Sequence, residues 1–142
     1  MGDGFSDPED ESGYSAHDLI SLGFKKSPQH AALIESTTKL AAVVCHATCV
    51  LLKATTSDGT LIVDGKTWTG FATSEEQFAD DFVGMRIQPF WIEDEARALP
   101  NTNFIVSGRF KPFAVRDGNL ITGQQQYSGA EAARLVIESL GV

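Results

Sequence analysis

The sequence has few cysteines, few basic residues and no long apolar run, and each shortage excludes a class of protein. Two cysteines, Cys45 and Cys49, are too few for the disulfide framework of a small secreted domain. The longest apolar runs fall far short of the ~20 residues that a membrane-spanning helix needs. The amino terminus is polar and lacks the apolar stretch of a signal peptide. We therefore expect a cytoplasmic protein in a reducing compartment, with no membrane partner.

Basic residues are scarce, because 11 lysines and arginines face 19 aspartates and glutamates, for a net charge of −8. No basic stripe is present to displace counterions from phosphate groups, so the composition argues against a nucleic-acid partner. Otherwise the composition is that of a globular protein, with 42% hydrophobic and 21% charged residues. A chain of 142 residues suits one domain, which buries ~65–70% of the surface of its unfolded state.

The stretch from Leu40 to Lys53, LAAVVCHATCVLLK, predicts a buried strand that turns sharply into a helix. A short unbroken apolar run bounded by polar residues is typical of a strand in a parallel sheet. Apolar residues then recur at helical spacing, and Cys45 stands at the turn. This is the layout of a nucleophile elbow, in which the backbone N–H groups at a helix N-terminus favour a thiolate. The stretch therefore predicts that Cys45 is a reactive cysteine.

Two interpretations of Cys45 stay open on these residues alone. A free cysteine in an apolar run is commonly a buried core residue, and we assign Cys49 to the core for this reason. A disulfide between the two is disfavoured, because its geometry would be strained across one helical turn. A zinc site from Cys45, His46 and Cys49 is incomplete, because a closed site needs four ligands. We expect no metal.

After this stretch, helix and strand signals alternate along the chain. Asp64-Gly65 predicts a hairpin between Leu61–Val63 and Lys66–Thr69, and Ser74 with Gln77 has capping-box spacing. The further predicted elements are helices over 75–83, 89–99 and from Ser128 to Gly141, a strand over 104–106, and a hairpin with its turn at 117–119. Such alternation predicts an α/β domain with a central sheet.

The first third of the chain differs from the rest. Residues 1–15 are acidic and rich in glycine, which predicts a loop, and residues 15–22 and 27–34 predict two short helices. We divide the chain into this segment, 1–39, and an α/β core, 40–142. Because no strand signal precedes Leu40, we expect a bare sheet edge, a mobile first third and a chain that is homodimeric or prone to association.

Four segments resemble the ThiJ/PfpI superfamily, whose members have a class I glutamine-amidotransferase-like, flavodoxin-like fold. They are AVVCHATCVLL, VDGKTWTGF, QPFWIEDEARAL and VRDGNLITGQQQYSGAEAARLVIESL, and the match runs from Leu40 to Val142. DPEDESGYSAHDLISLGFKKSPQHAALIE also resembles the larger, chaperone and glyoxalase-like branch. The resemblance implies a three-layer α/β sandwich with a parallel central sheet.

The chain departs from that family in three places. The family's first strand-helix-strand unit, with its early glutamate, has no counterpart. A strand and a Gly-Gly loop, which supplies one backbone donor for an oxyanion, would precede the elbow strand, yet here Thr38-Lys39-Leu40 runs straight into Ala41. Ala47 stands where the family usually has glycine. We therefore expect a truncated version of the fold.

The resemblance implies roles for three residues. Cys45 matches the nucleophile and His46 the adjacent base. A carboxylate just after the TGF segment orients the histidine, and Glu76 falls at that place, with Glu75 as the alternative. Glu76 can equally be a first-turn carboxylate that stabilises the helix dipole. No cofactor is implied.

The implied function is a cofactor-free, glyoxalase III-like lyase of the stress response that converts methylglyoxal, a small aldehyde, into D-lactate. Deglycase or cysteine peptidase chemistry would use the same thiol. The rival from another class is a non-catalytic remnant, or an interaction or chaperone-like protein, because the missing strands would leave apolar faces uncovered.

Overall fold

The computed structural model describes residues 40–141, so residues 1–39 and Val142 lie outside the described part. The acidic loop and the two short helices expected before Leu40 fall outside the described residues. The division of the chain after residue 39 stays a prediction for the same reason.

Within residues 40–141, five short strands form two small sheets. They are β1 (Ala41–Val44), β2 (Thr67–Trp68), β3 (Asn103–Phe104), β4 (Ala114–Asp117) and β5 (Leu120–Gly123). The first sheet has the order β1-β5-β4, and the second pairs β2 with β3. β5 runs parallel to β1 and antiparallel to β4, whereas β2 and β3 are parallel. Parallel pairing of β1 with β5 places Val44 opposite Gly123.

Helices pack on these sheets. They are a 3-10 helix over Cys45–Leu52, which we call the elbow helix, α1 (Thr73–Val83), α2 (Ile92–Ala98), a 3-10 turn over Gln126–Ser128, and α3 (Gly129–Leu140). α3 contacts all three strands of the first sheet, and the elbow helix contacts β5 and α2. All four residues of β5 are buried, so this strand lies at the centre of the fold. The predicted α/β class is confirmed.

The hydrophobic core gathers around the elbow helix, β2 and α2. Its largest fully buried side chains include Trp68, Leu51 and Ile92. Leu51, Ile121 and Ala132 are also buried. Several other apolar residues are only half-buried, namely Val43, Val44, Val50, Ile105, Val106, Leu135 and Val136. For those on β1 the reason is that β1 has no second partner strand among residues 40–141.

The hairpin predicted at Asp64-Gly65 is wrong. A turn does form there, with Gly65 in the left-handed region at φ 69°, but Leu61–Val63 is not a strand. The Gly65 N–H donates to Asn101 O at 2.6 Å, and β2 then pairs with β3, which lies 36 residues further along the chain. The Asp64-Gly65 signal therefore predicted the turn correctly, but it predicted the wrong partner strand for β2.

The start of α1 also differs from the prediction. The helix begins at Thr73, so Ser74 and Gln77 do not form the expected capping box. Instead, Glu75 accepts a hydrogen bond from the Ala72 N–H at 3.1 Å, and Glu93 accepts one from the Thr73 N–H at 2.8 Å. The first N–H groups of the helix are therefore satisfied by carboxylates, one of them from α2.

The second half follows the sequence signals more closely. β4 and β5 form the expected hairpin, in which Asp117 pairs with Leu120 and Gly118 adopts φ 62° in the turn. α2 begins at Ile92, three residues after the predicted start at Pro89. α3 ends at Gly141, which adopts the left-handed conformation of a helix C-cap. Within residues 40–141, no helix combines the length and apolar character that a membrane crossing requires.

Candidate active site

Cys45 stands where β1 turns into the elbow helix, with a backbone conformation that is unusual for its residue type. Its φ is 63°, in the left-handed region that residues other than glycine occupy at a cost of ~1–3 kcal/mol. The Thr48 hydroxyl donates to Cys45 O at 2.7 Å and stabilises the turn. A sharp, strained turn from strand to helix is the geometry that presents a nucleophile at the end of a sheet strand.

His46 lies between the thiol and a buried carboxylate. Its Nδ1 is 3.5 Å from Cys45 Sγ, and its Nε2 donates to Glu76 Oε1 at 2.8 Å. The Glu76 side chain is only 2% exposed, whereas His46 is 42% exposed. The structure thus brings the three residues implied by the resemblance into one continuous chain of contacts.

The electrostatic environment of His46 follows from these contacts. Burial by itself lowers the pKa of His46, but the hydrogen bonds to Cys45 and Glu76, together with their charges, raise this pKa from 6.5 to about 9. The imidazole is therefore protonated at neutral pH. A histidine cation next to a cysteine sulfur is a common feature of reactive cysteine sites.

Phe71 forms one wall of the site, and no single signal in the sequence indicated it. Its ring stacks on the His46 imidazole at 4.0 Å with an interplanar angle of 27°. The preceding Gly70 packs tightly against Thr48, because a Cβ there would lie 2.3 Å from Thr48 Oγ1. The TGF segment therefore places an aromatic ring on the histidine as well as leading to the carboxylate.

Glu75, the alternative to Glu76, is directed elsewhere. It is fully buried, and its carboxylate accepts hydrogen bonds from the Phe110 N–H and Gln124 Nε2, both at 2.8 Å. Its other oxygen accepts from the Ala72 N–H. Of the two adjacent glutamates, Glu76 is therefore the one that reaches His46.

Cys45 and Cys49 are both half-buried and both pack against the hydrophobic core. They differ in that Cys45 Sγ lies 3.5 Å from His46 Nδ1, whereas burial raises the pKa of the Cys49 thiol. Neither cysteine forms a disulfide. Among residues 40–141, no three His, Cys, Asp or Glu side chains cluster as the ligands of a metal ion would.

Comparison with known proteins gives matches among solved structures. No protein-family model matches the chain, and no curated protein matches it significantly. A crystallographic structure that carries only a target code as its name is 37% identical, with a TM-score of 0.69, over 88% of this chain and 56% of that chain.

Two further matches carry names. The rapid encystment protein of 24 kDa from Francisella tularensis is 20% identical with a TM-score of 0.70, over 87% of this chain and 54% of that chain. Glyoxalase III from Candida albicans is 21% identical with a TM-score of 0.60, over 86% of this chain and 53% of that chain.

These matches show the fold of the chain. At 20–21% identity the two named proteins support the fold alone, and both are members of the superfamily that the sequence resembles. The chain spans little more than half the length of the solved chains it matches. The chain therefore shares the fold of these solved structures, and its membership of the ThiJ/PfpI superfamily stays a prediction from the sequence resemblance.

Proposed function

We propose that the chain is a cofactor-free, glyoxalase III-like lyase that converts methylglyoxal into D-lactate. The observation that carries the proposal is the contact chain from Cys45 Sγ through His46 to Glu76, built on a strained elbow. The match to a protein named glyoxalase III supports the same fold for the chain. A second copy of the chain is the partner we expect, and the cytoplasm its compartment.

The first step is attack on the aldehyde. The Cys45 sulfur forms a bond to the aldehyde carbon, the carbonyl electron pair moves to oxygen, and the His46 imidazolium gives that oxygen its proton. The product is a hemithioacetal. The backbone N–H of His46 lies in the first turn of the elbow helix, where N–H groups lack intrahelical acceptors, and it stabilises the oxyanion from one side.

The next steps move one proton and add water. Neutral His46 removes the proton from the hemithioacetal carbon to give an enediolate, and returns it to the neighbouring carbon. The hydroxyl proton on the sulfur-bearing carbon passes to the adjacent oxyanion, which gives a lactoyl thioester on Cys45. Water then hydrolyses the thioester, which releases lactate and restores the thiol. Glu76 keeps Nε2 engaged throughout, so that Nδ1 stays directed at the sulfur.

The test is turnover of methylglyoxal by the purified chain, with D-lactate measured by a stereospecific assay. We expect Cys45→Ala to abolish D-lactate formation. Cys49→Ala is the matched control, since it removes the other thiol, and we expect it to retain turnover. Equal D-lactate formation by the wild type and Cys45→Ala, or none by either, would reject the proposal. Activity on glycated peptides or on peptide bonds instead would assign the same thiol to deglycase or peptidase chemistry.

A second candidate is an interaction or chaperone-like protein that associates with a second copy of itself. The observation that favours it is an apolar surface at α1 and the loop after it. Phe82 is 85% exposed, and Met85 is 66% exposed. Phe78, Val83 and Ile87 are also exposed there. β1 in addition has no partner on its outer edge among the described strands.

Sedimentation across a concentration series tests this candidate. We expect a concentration-dependent dimer, which Phe82→Ser weakens while leaving the far-UV circular dichroism unchanged. The matched control is Phe90→Ser, because Phe90 packs against the core, so its loss should reduce stability and not association. A monomer at all concentrations would remove the candidate.

A further inference from the structure

Glu75 and Gln124 lie in a buried polar network next to the candidate site, and the steps above make no use of it. We propose that these two side chains form a brace that positions Glu76 against His46, so that Glu75 and Gln124 are positioning residues. The inference rests on the proposed function, since the separation of Glu76 from His46 affects catalysis only if Cys45 is the nucleophile.

The brace links the start of α1 to the end of β5. Gln124 Nε2 donates to Glu75 Oε1 at 2.8 Å, although the two residues are 49 positions apart in the chain. Gln124 Oε1 accepts from the Ser107 N–H at 2.7 Å. Both side chains are fully buried. The pair therefore ties three separate segments together through hydrogen bonds shielded from water.

Both ends of the brace lie next to the candidate site in the chain. At one end, Gln124 follows Gly123, which pairs in register with Val44, the residue before Cys45. At the other end, Glu75 is adjacent to Glu76 in the first turn of α1. A shift of α1 relative to the sheet would change the 2.8 Å contact between Glu76 Oε1 and His46 Nε2. The brace opposes this shift.

The strength of the brace comes from the several hydrogen bonds that Glu75 accepts. Glu75 accepts from three donors, because the Phe110 and Ala72 N–H groups add to Gln124. Phe110 holds a left-handed backbone at φ 57°, and such conformations persist only where the surroundings fix them. Removing one member leaves its buried partners without a hydrogen bond. The network therefore has one well-defined arrangement, which a positioning device needs.

The experiment is the titration of His46 by NMR of the labelled imidazole, which needs no substrate. Gln124→Met keeps the size of the side chain and deletes both hydrogen bonds. We expect it to move the pKa of His46 from about 9 toward the ordinary value of 6.5, and to lower kcat/KM about 10- to 100-fold if the chain turns over methylglyoxal. Gln126→Met is the matched control, because Gln126 is exposed and two residues away. We expect it to change neither quantity.

A double variant separates positioning from stability. In a Glu76→Gln background, Gln124→Met should produce no further shift in the pKa of His46, because the brace acts through Glu76. An unchanged His46 titration in folded Gln124→Met would overturn the proposal, and so would an equal shift in both backgrounds. If Gln124→Met does not fold, Glu75→Gln replaces it, since one acceptor oxygen is kept, and its His46 pKa should fall by a smaller amount. A shifted titration in a chain without turnover would reject the proposed function and retain the brace.

Discussion

Two adjacent glutamates at the start of α1 occupy environments of opposite kind. Glu75 and Glu76 are both buried. The carboxylate of Glu75 accepts from two backbone N–H groups and an amide, none of which titrates. Glu76 contacts His46, whose own proton can leave and whose other nitrogen faces a sulfur. Burial therefore does not distinguish a structural carboxylate from a candidate functional one. The two differ in the group that donates the hydrogen bond, which titrates in the case of Glu76 and does not in the case of Glu75.

The largest expected effect separates the two glutamates by stability. Glu75→Met removes the acceptor of three buried N–H groups, so we expect the free energy of unfolding to fall by about 2–4 kcal/mol. Glu76→Met is the matched change, and it should cost less, because the partly exposed His46 can hydrogen-bond to water instead. Urea denaturation measures both. Equal losses in the two variants would contradict the distinction.

The next effect separates them by chemistry. Glu76→Gln preserves the shape of the side chain and removes its charge, so His46 loses the ion pair that orients it. We expect kcat for methylglyoxal to fall about 100-fold, with a stable fold and a lower pKa for His46. An unchanged kcat would reduce Glu76 to a carboxylate that only stabilises the helix N-terminus.

The thiols give a third and smaller contrast. Cys45 lies beside the protonated His46, whereas burial raises the pKa of the Cys49 thiol. We expect iodoacetamide at neutral pH to label Cys45 about 10-fold faster than Cys49 in the folded protein. Peptide mass spectrometry over time measures both rates in one sample. Equal slow rates would return Cys45 to the core interpretation.

The sequence predicted the parts of this comparison that depend on neighbours in the chain. The apolar run ending at Cys45 and the Asp117-Gly118-Asn119 turn are local signals, and the structure has the strand, the elbow and the hairpin there. The position of Glu76 came from the family resemblance, and the contact with His46 agrees with it. The catalytic roles themselves stay predictions.

What the sequence could not indicate depends on contacts across long separations. The Glu75–Gln124 hydrogen bond joins residues 49 positions apart. Nothing in the sequence near either residue indicates that the two side chains meet. The expected capping box at Ser74 failed because Glu93, from another helix, satisfies the Thr73 N–H. The hairpin at Asp64-Gly65 failed because β2 finds its partner in β3. In each case tertiary contacts outweighed a local preference.

The smallest expected effect is the pH dependence that His46 gives to stability. The pKa of His46 is about 9 in the folded protein and 6.5 ordinarily, so the folded state binds this proton more tightly than the unfolded state. Its contribution is fully present below pH 6.5 and is lost as the pH rises through about 9. Because the ring is 42% exposed, solvent screening reduces that contribution to roughly 1 kcal/mol.

Urea midpoints measured between pH 6.5 and about 9 should fall with pH in the wild type. The fall should be smaller in Glu76→Gln and unchanged in Glu138→Gln, which alters an exposed carboxylate on α3. An equal fall in all three proteins would assign the pH dependence to groups other than His46.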